Sequence, residues 1–503
     1  MRIAIAVPPI RDFYLTPHRL SYLGPKIVSE LCQREGHTVK LFFFPSDRVG
    51  KTIPLPPEAA YLYRYLLPTE HGPVSFFTHF RHFGPSYPDC ARTILSFSPD
   101  LVIISSFAYA YAVEAVELGR EIRRQSPTTL LAVGGAGPSA EPRYYASQIE
   151  EATLLPIFNF IVQGEAEMTL PLLLQAATSA FPPLFSSVEQ EPYLIKSPRT
   201  TSPEDLLPLV GIVRQNDHKL WAATYLSRGC PFQCSFCSNH LCHGREFRIL
   251  PTRVFLRAIK QLPSSKTLSL NFEDDNLLAF KEEFLELLKQ LRNLFPDSSF
   301  TAENGLDYRF LDPALIDRLL TLGFRRFNLS LGTLYEDISR SQARPLDLDR
   351  YLAVVRHLHR KGIPSVTYFI AGLPGDSPQQ VLEHLKFLSQ VPTRVGISLF
   401  YPVPGIEGFN PPPPLLLQHP GLSRGSFAYP WTGVLSDLQF LTAFRLSRYI
   451  NLQKKTNRTL EEEALLATIQ QTQHLYTYIK TSTGLLLTTP PVDSEMETAF
   501  FNT

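Results

Sequence analysis

The sequence predicts an α/β protein with two successive parallel sheets and a helical C-terminal extension. Short apolar segments alternate with amphipathic helical segments in two separate blocks, which is typical of parallel sheets covered by helices. The chain has 503 residues, of which 44% are hydrophobic and 19% charged, so roughly two to four domains with buried cores are expected. We place domains at residues 1–178, 218–410 and 411–503, with a linker at 179–217.

The first block predicts a doubly wound sheet. Its helices are predicted at residues 23–34 and 110–124, and its strands at 3–7, 38–44, 101–106, 129–133 and 158–162. Ligands of such sheets bind at the carboxyl ends of the strands, and small residues follow two of them, at 105–106 and 134–137. Residues 135–140 fit the G-x-G-x-x-A dinucleotide pattern, but that fingerprint belongs to the first strand of a sheet. A tight turn that requires small residues is an equally good interpretation.

The second block predicts a partial (β/α)6 barrel, because about six strand–helix units follow one another, short of the full eight. Helices are predicted at 281–294, 313–322, 348–362 and 378–388, and strands before 230 and at 267–272, 300–305, 326–331, 365–370 and 394–400. Polar or glycine-rich clusters follow four strands, at 273–276, 304–305, 332–333 and 372–375. Barrel enzymes do their chemistry at these strand ends. The acidic cluster would also suit a solvated helix N-terminus, and the last cluster a simple turn.

The remaining chain predicts a helical cap. Proline is frequent, at 44 residues, and the run Pro411–Pro414 predicts an extended spacer that we use as a domain boundary. Beyond the run, helical patterns cover residues 434–450 and 460–478 without any ligand cluster.

Composition excludes several classes of protein. The net charge of +1 gives no electrostatic reason to expect nucleic-acid binding. No stretch approaches about 18 apolar residues, so no membrane span is expected, and the N-terminus reads as a strand rather than a signal peptide. Six cysteines in so long a chain do not make a disulfide framework. Because the cysteines are expected to be reduced, we expect a cytoplasmic protein.

Half of the cysteines lie within one short loop. Cys230, Cys234 and Cys237 have the spacing C-x3-C-x2-C, which can bind three irons of a cube-shaped iron–sulfur cluster and leave the fourth iron open. Open coordination is typical of metal centres that do chemistry. Zinc is an alternative, with His240 or Cys242 as fourth ligand, whereas the bacterial ferredoxin spacing differs.

The cysteine loop and the aromatic Phe236 before its last cysteine resemble the radical S-adenosylmethionine (radical SAM) superfamily. The resemblance implies that Cys230, Cys234 and Cys237 bind a [4Fe–4S] cluster whose open iron is chelated by S-adenosylmethionine (SAM). It also implies that the polar strand ends hold SAM, with Gly332 standing where many relatives have a carboxylate. The SAM-binding residues implied are Phe236, Glu273, Asp274, Asp275, Asn304, Thr333, Gly372 and Pro374.

The first block resembles the cobalamin-binding, Rossmann-like domain that precedes many radical SAM modules. The resemblance rests on residues 20–24 with Gly36-His37, and on 99–106, 134–139 and 164–167. It implies a slot for the cobalamin tail lined by Ser105, Ser106, Gly134, Gly135, Gly137, Gly164 and Glu165. The D-x-H-x-x-G motif that supplies a histidine to cobalt is absent, and His18 is a poor substitute, so cobalt is expected to lack a protein histidine.

Together these resemblances imply an enzyme that cleaves SAM to a 5′-deoxyadenosyl radical and methylates an unactivated carbon with the help of cobalamin. The alternatives are a radical cyclisation, rearrangement or oxidation with cobalamin auxiliary or absent, and a metal-stabilised binding protein without turnover. The implied partners are a small-molecule or peptide substrate and a reductase, flavodoxin or ferredoxin as electron donor. No residue identifies the substrate or a further catalytic group.

Overall fold

The computed structural model describes residues 1–16, 22–66, 70–152, 154–179, 191–197, 200–263, 266–475, 477–481, 484–488 and 492–502. His18, the start of the 20–24 motif and the prolines at 182–183 lie outside the described residues. In the described part, the chain forms two large parallel sheets, and the prediction of an α/β fold is confirmed. No helix of the described residues is long and apolar enough to cross a membrane.

The N-terminal sheet has six parallel strands. From one edge to the other they are Tyr193–Lys196, Phe160–Gln163, Leu130–Gly134, Leu101–Ser105, Arg2–Val7 and Thr38–Phe43. The first strand lies inside the sheet, with the second strand on one side and the third on the other. The strand order therefore reverses between Val7 and Ser105, and ligands of doubly wound sheets bind at such a switch point.

Helices cover both faces of this sheet, as its continuously apolar strands require. They are Leu23–Arg34, Tyr87–Leu95, Ala112–Gln125, Ala136–Ala140, Pro142–Ala146 and Ala166–Ala177. Cys32 packs with the Ala166–Ala177 helix on one face, and Cys90 packs with the Ala112–Gln125 helix on the other. Both thiols are fully buried, as suits small apolar residues of a core.

The second sheet has six parallel strands and one antiparallel edge strand. In order they are Val210–Gln215, Lys219–Thr224, Thr267–Phe272, Ser299–Thr301, Phe324–Gly332, Ser365–Ala371 and Arg394–Leu399, the first being antiparallel to the second. Outer helices are Thr252–Ile259, Lys281–Leu294, Pro313–Thr321, Leu348–Arg360 and Pro378–Gln390, with short helices His240–His243 and Glu336–Ser341 at the mouth. These six parallel strands are the six predicted strand–helix units.

The segment predicted as a linker contributes to both sheets. Tyr193–Lys196 adds the edge strand of the N-terminal sheet, and Val210–Gln215 adds the antiparallel strand of the barrel. The apolar segments within residues 179–217 are too short and too interrupted by polar residues to predict these two strands. Each strand lies at the edge of its sheet and pairs with a neighbouring strand on one side only.

A small insertion in the N-terminal block packs on the barrel. It contains the strands Ile10–Asp12, Gly50–Thr52 and Arg81–Phe83, which form an antiparallel sheet, and a 3-10 helix at Pro57–Tyr65. Leu62, Phe76 and Phe80 of the insertion belong to the same apolar cluster as the barrel core.

The C-terminal region joins the two large sheets. Its helices are Pro414–Gln418, Asp437–Lys454, Leu460–Thr472 and Ser494–Phe501, and its strands Thr477–Thr481 and Gly484–Thr488 form a hairpin that pairs with Glu70–His71. The second helical pattern thus ends at Thr472, and the helix predicted to 478 is replaced by a strand. The buried Arg424 donates to the carbonyls of Arg11 (2.6 Å) and Ala110 (2.5 Å) in the N-terminal domain.

The proline run is not a spacer between independent parts. A helix starts at Pro414, and Leu416 is fully buried in the core of the N-terminal domain. Asn451 of the long C-terminal helix exchanges two 2.8 Å hydrogen bonds with Val395 of the last barrel strand. The chain after the prolines therefore fixes the barrel against the N-terminal sheet.

Candidate functional site

The three clustered cysteines lie in a loop at the mouth of the barrel. The loop follows the first parallel barrel strand, Lys219–Thr224, and ends before the short helix His240–His243. All three thiols are free and partly exposed, and the N–H of Cys237 donates to the carbonyl of Cys234 at 3.0 Å. Gly229 begins the loop with φ +78°, and a Cβ there would lie 2.1 Å from the carbonyl oxygen of Glu246. Only glycine fits this turn.

The surroundings of the thiols suit an iron–sulfur cluster. Burial raises the pKa of the Cys230 and Cys237 thiols, and the negative charge of a neighbouring Cys234 thiolate and of Asp275 raises both pKa values further. Asn276 Nδ2 lies 4.0 Å from Cys230 Sγ, and Arg344 Nη1 lies 4.0 Å from Cys234 Sγ. Asn276 Oδ1 is buried and has no hydrogen-bond partner among the described residues.

The zinc alternative suits this geometry less well. In the described part of the chain, no three His, Cys, Asp or Glu side chains converge on one ion position. A zinc ion requires such convergence, whereas the thiolates around a cube bind different irons. Cys242, one alternative fourth ligand, instead hydrogen-bonds Ser139 and His243.

Asp274 holds the start of the cysteine loop. Its carboxylate accepts from Leu226 N (3.0 Å), Ser227 N (2.6 Å) and Ser227 Oγ (2.5 Å), and the residue is 4% exposed. Burial raises the pKa of Asp274 to about 7. The carboxylate of Asp274, which the resemblance assigned to SAM binding, is therefore occupied by hydrogen bonds from the start of the cysteine loop.

The neighbouring acids of the same strand end face a cavity. Glu273 and Asp275 line it, and Asp275 Oδ2 accepts from Gly229 N at 3.1 Å. Asn304 Nδ2 donates to the Glu273 carbonyl at 3.0 Å, so the third strand end is tied to the second.

The other residues predicted to bind SAM lie further around the barrel mouth. Phe236 packs in a small apolar cluster with Leu373, between Gly372 and Pro374. Thr333 is buried, and its hydroxyl accepts from Tyr335 N at 3.3 Å. Gly372 lies against the ring of Phe440, which a Cβ would approach to 2.4 Å.

A cavity of about 450 Å³ separates the two sheets and joins their carboxyl ends. It reaches the switch point of the N-terminal sheet at Val7 and Ser105. Five of the seven predicted cobalamin residues line it, namely Ser105, Gly134, Gly135, Gly164 and Glu165; from the barrel it is lined by Ser227, Arg228, Cys242, His243, Glu273 and Asp275.

Ser106 and Gly137 are placed behind the cavity wall instead. Ser106 Oγ lies 2.7 Å from the hydroxyl of Tyr145, and a Cβ on Gly137 would come within 2.3 Å of that hydroxyl. Both residues pack the inside of the glycine-rich loop. Gly135 has φ +115°, and a Cβ there would lie 2.6 Å from the Ser106 carbonyl oxygen, so this loop requires glycine.

Charged residues connect the two domains along the cavity wall. Arg248 donates to Glu165 at 2.7 and 3.0 Å, and His243 Nδ1 lies 3.1 Å from the same carboxylate. Burial raises the pKa of Glu165, but these hydrogen bonds outweigh it and the pKa is lowered. Burial lowers the pKa of His243, yet Cys242 and Glu165 raise it to about 10. Arg228 pairs with Glu167 at 2.9 Å.

These cationic residues were not found from the sequence. Arg228 stands two positions before Cys230, which was the available signal, but its carboxylate partner lies 61 residues earlier in the chain. Arg248 and Arg344 stand outside every motif. Glu165 was predicted to bind cobalamin, but its carboxylate forms hydrogen bonds with Arg248 of the barrel domain.

A second cavity, of about 610 Å³, lies in the lumen of the open barrel. Small and polar side chains of the strands line it, including Ser269, Asn271, Thr301 and Asn328, with Trp221 and Tyr368 as its aromatic walls. The lumen of a closed barrel is filled by branched apolar residues, whereas this lumen has room for a ligand.

Comparison with known proteins identifies the barrel module. Residues 224–388 match the radical SAM superfamily. The chain is 26% identical over 243 residues to the bacteriochlorophyllide d C-12(1)-methyltransferase of Chlorobaculum tepidum, a match that covers 47% of this chain and 48% of that relative. It is 20% identical over 340 residues to the hopanoid C-3 methylase of Methylococcus capsulatus, covering 65% and 63%. The chain thus spans about half to two thirds of these relatives' lengths.

Two solved structures share the fold. One is the radical SAM methyltransferase TsrM from Kitasatospora setae with cobalamin and a [4Fe–4S] cluster, with a TM-score of 0.57, 16% identity and coverage of 81% of this chain and 77% of TsrM. The other is the cobalamin-dependent SAM radical enzyme OxsB, with a TM-score of 0.53, 13% identity and coverage of 79% and 53%. Both likenesses extend well beyond residues 224–388, since they cover about four fifths of this chain.

Proposed function

We propose that this chain is a cobalamin-dependent radical SAM methyltransferase, because residues 224–388 match the radical SAM superfamily and the fold resembles that of a cobalamin-binding member. One observation carries the proposal. A single cavity is shared by the carboxyl ends of both sheets, beside the cysteine loop. Two cofactors that act on one substrate must lie close together, and this cavity supports such a placement.

Cys230, Cys234 and Cys237 would hold the [4Fe–4S] cluster. The cluster, when bound, supplies the electron that cleaves SAM to methionine and a 5′-deoxyadenosyl radical. Asp274 and Asp275 position the loop by accepting from its backbone, at Ser227 and Gly229. Glu273, whose carbonyl accepts a hydrogen bond from Asn304, would recognise the SAM ammonium group.

The glycine-rich loop of the N-terminal sheet would hold cobalamin, which supplies a transferable methyl group. Gly134 and Gly135 present bare backbone to the cavity, and Ser105 adds a hydroxyl at the switch point. The ion pairs of Glu165 with Arg248 and Arg228 connect the barrel to the neighbouring strand end of the N-terminal sheet, at the wall of the same cavity. We expect cobalt to lack a protein histidine, because the D-x-H-x-x-G motif is absent.

The relatives named above methylate carbon positions of a chlorophyllide and of a hopanoid, as their names state. For this chain we propose methylation of an unactivated carbon in a small-molecule or peptide substrate. An electron donor of the flavodoxin, ferredoxin or reductase class and a cytoplasmic location complete the proposal.

Anaerobic reconstitution tests it. Protein treated with iron, sulfide and hydroxocobalamin should retain a [4Fe–4S] cluster and about one equivalent of cobalamin, and should release 5′-deoxyadenosine from SAM under reduction. Cys234→Ser is the matched variant, which should lose the cluster and 5′-deoxyadenosine while it keeps cobalamin. A wild type that forms 5′-deoxyadenosine but binds no cobalamin would favour the cyclisation, rearrangement or oxidation alternative. A wild type without a cluster would refute the radical SAM proposal.

A further inference from the structure

We infer that Arg344 is a positioning residue for the cluster and raises its reduction potential. The inference rests on the proposed function, because it concerns the cluster at Cys234. Arg344 belongs to no motif of the sequence, and it follows the short helix Glu336–Ser341 at the barrel mouth.

The guanidinium group is fixed beside one thiol. Arg344 Nη1 lies 4.0 Å from Cys234 Sγ, while Nη2 donates to the carbonyl of Ser330 at 2.9 Å. The side chain is 15% exposed. The same segment also holds the next loop residue, since Ser235 N donates to the carbonyl of Gln342 at 3.3 Å.

Gly332 makes room for this arginine. It has φ +82°, and a Cβ there would lie 3.3 Å from both Cδ and Nε of Arg344. A larger side chain at 332 would therefore push the guanidinium away from Cys234. Because residue 332 is glycine, this position also supplies no carboxylate that would pair with Arg344.

A second arginine near the loop provides a comparison. Arg309 bonds both oxygens of Asp307, at 2.9 and 2.5 Å, and stacks on Phe232 of the loop with its Cζ 4.8 Å from the ring centroid. Asp307 lies 4.0 Å from Arg344. Arg309 is thus bonded directly to Asp307, whereas Arg344 reaches the same carboxylate only at 4.0 Å. Cys234 acts electrostatically on Arg309 as well, but the guanidinium donor directed at its sulfur is that of Arg344.

The effect on the cluster follows from charge. Reduction by one electron adds a negative charge, which a fixed cation stabilises, most strongly where burial lowers the local dielectric. Cluster potentials depend on net charge and on hydrogen bonds to the sulfurs. Arg344 supplies the charge and has a donor directed at one sulfur ligand.

The test is a redox titration of the anaerobically reconstituted protein without SAM, followed by electron paramagnetic resonance. Arg344→Gln should lower the ratio of reduced to oxidised cluster at a fixed potential at least tenfold, a shift of about 59 mV to more negative values for one electron. Arg344→Lys should restore most of the potential. Arg309→Gln, the matched control, should shift it less than half as far.

A second variant tests the inference even if Arg344→Gln fails to hold the cluster. Asp307→Asn removes the negative charge between the two arginines and should move the potential in the opposite direction, to more positive values. An unchanged potential in fully loaded Arg344→Gln, or an equal shift in Arg309→Gln, would overturn the inference. If Arg344→Gln holds no iron, an unshifted Asp307→Asn protein would overturn it. Failure of the wild type to take up a cluster is a separate result, which refutes the proposed function instead.

Discussion

Replacing Asp274 by alanine distinguishes a residue that holds the cysteine loop from one that binds SAM. The carboxylate accepts from three buried donors, Leu226 N, Ser227 N and Ser227 Oγ. Leaving three buried donors unsatisfied costs about 3 kcal/mol or more. Burial of the acid, which raises its pKa to about 7, offsets part of this loss. A net destabilisation of about 2–3 kcal/mol remains.

Urea unfolding of the cofactor-free protein measures this effect. The chain has 2 tryptophans, Trp221 in the barrel and Trp431, so a Trp431→Phe background makes fluorescence report on the barrel alone. Asp274→Ala should lower the urea midpoint by about 1 M and reduce the iron bound after reconstitution. Asp297→Ala, which removes an exposed acid of the same module, should change neither.

One outcome would refute the assignment of Asp274 as a residue that holds the cysteine loop. If Asp274→Ala unfolds at the wild-type midpoint and holds full iron, but binds SAM more weakly, then Asp274 contacts SAM as the family resemblance implied. Asp274→Asn keeps one acceptor oxygen and should fall between alanine and wild type in both measurements.

Three further predictions concern the rest of the site. Cys237→Ser should lose the cluster, whereas Cys242→Ala should keep it, as iron analysis will show; loss of iron in Cys242→Ala would contradict a three-cysteine cluster. Gly135→Val should abolish cobalamin retention, measured by absorbance, because its Cβ would lie 2.6 Å from the Ser106 carbonyl; Gly421→Ala, whose Cβ would lie 3.6 Å from its nearest neighbours and outside the cavity, is the control. His243 has a pKa raised to about 10 above its usual 6.5, so its stabilising charge is complete below pH 6.5 and lost as pH rises through about 10. The melting temperature of the cofactor-free wild type should fall over that range, and that of His243→Gln should fall less; parallel curves would contradict the assignment.

The sequence alone determined the existence of the two sheets and of the cysteine loop, because both depend on patterns of residues that are close together in the chain. The helix predicted at residues 23–34 is observed at Leu23–Arg34, since its apolar period and the glycine that follows it need no distant partner. The six parallel barrel strands were recognised because short apolar-rich segments alternate regularly with amphipathic helical segments. The radical SAM resemblance, drawn from three cysteines and one aromatic residue, is confirmed by the family match.

Tertiary structure decided which of the predicted side chains are free to bind a ligand and which are occupied by other residues of the chain. Asp274 and Glu165 were selected by their place in the chain, yet each carboxylate is held by donors 36 or more residues away. The strands at 193–196 and 210–215 depend on pairing with an existing sheet edge, and the strand at 477–481 depends on Glu70–His71. Arg344 carries no signal in its own segment, and only the fold brings it to Cys234, 110 residues earlier. Local sequence specifies the helices and strands of the backbone. Hydrogen bonds and ion pairs between residues distant in the chain specify where the charged side chains lie around the site.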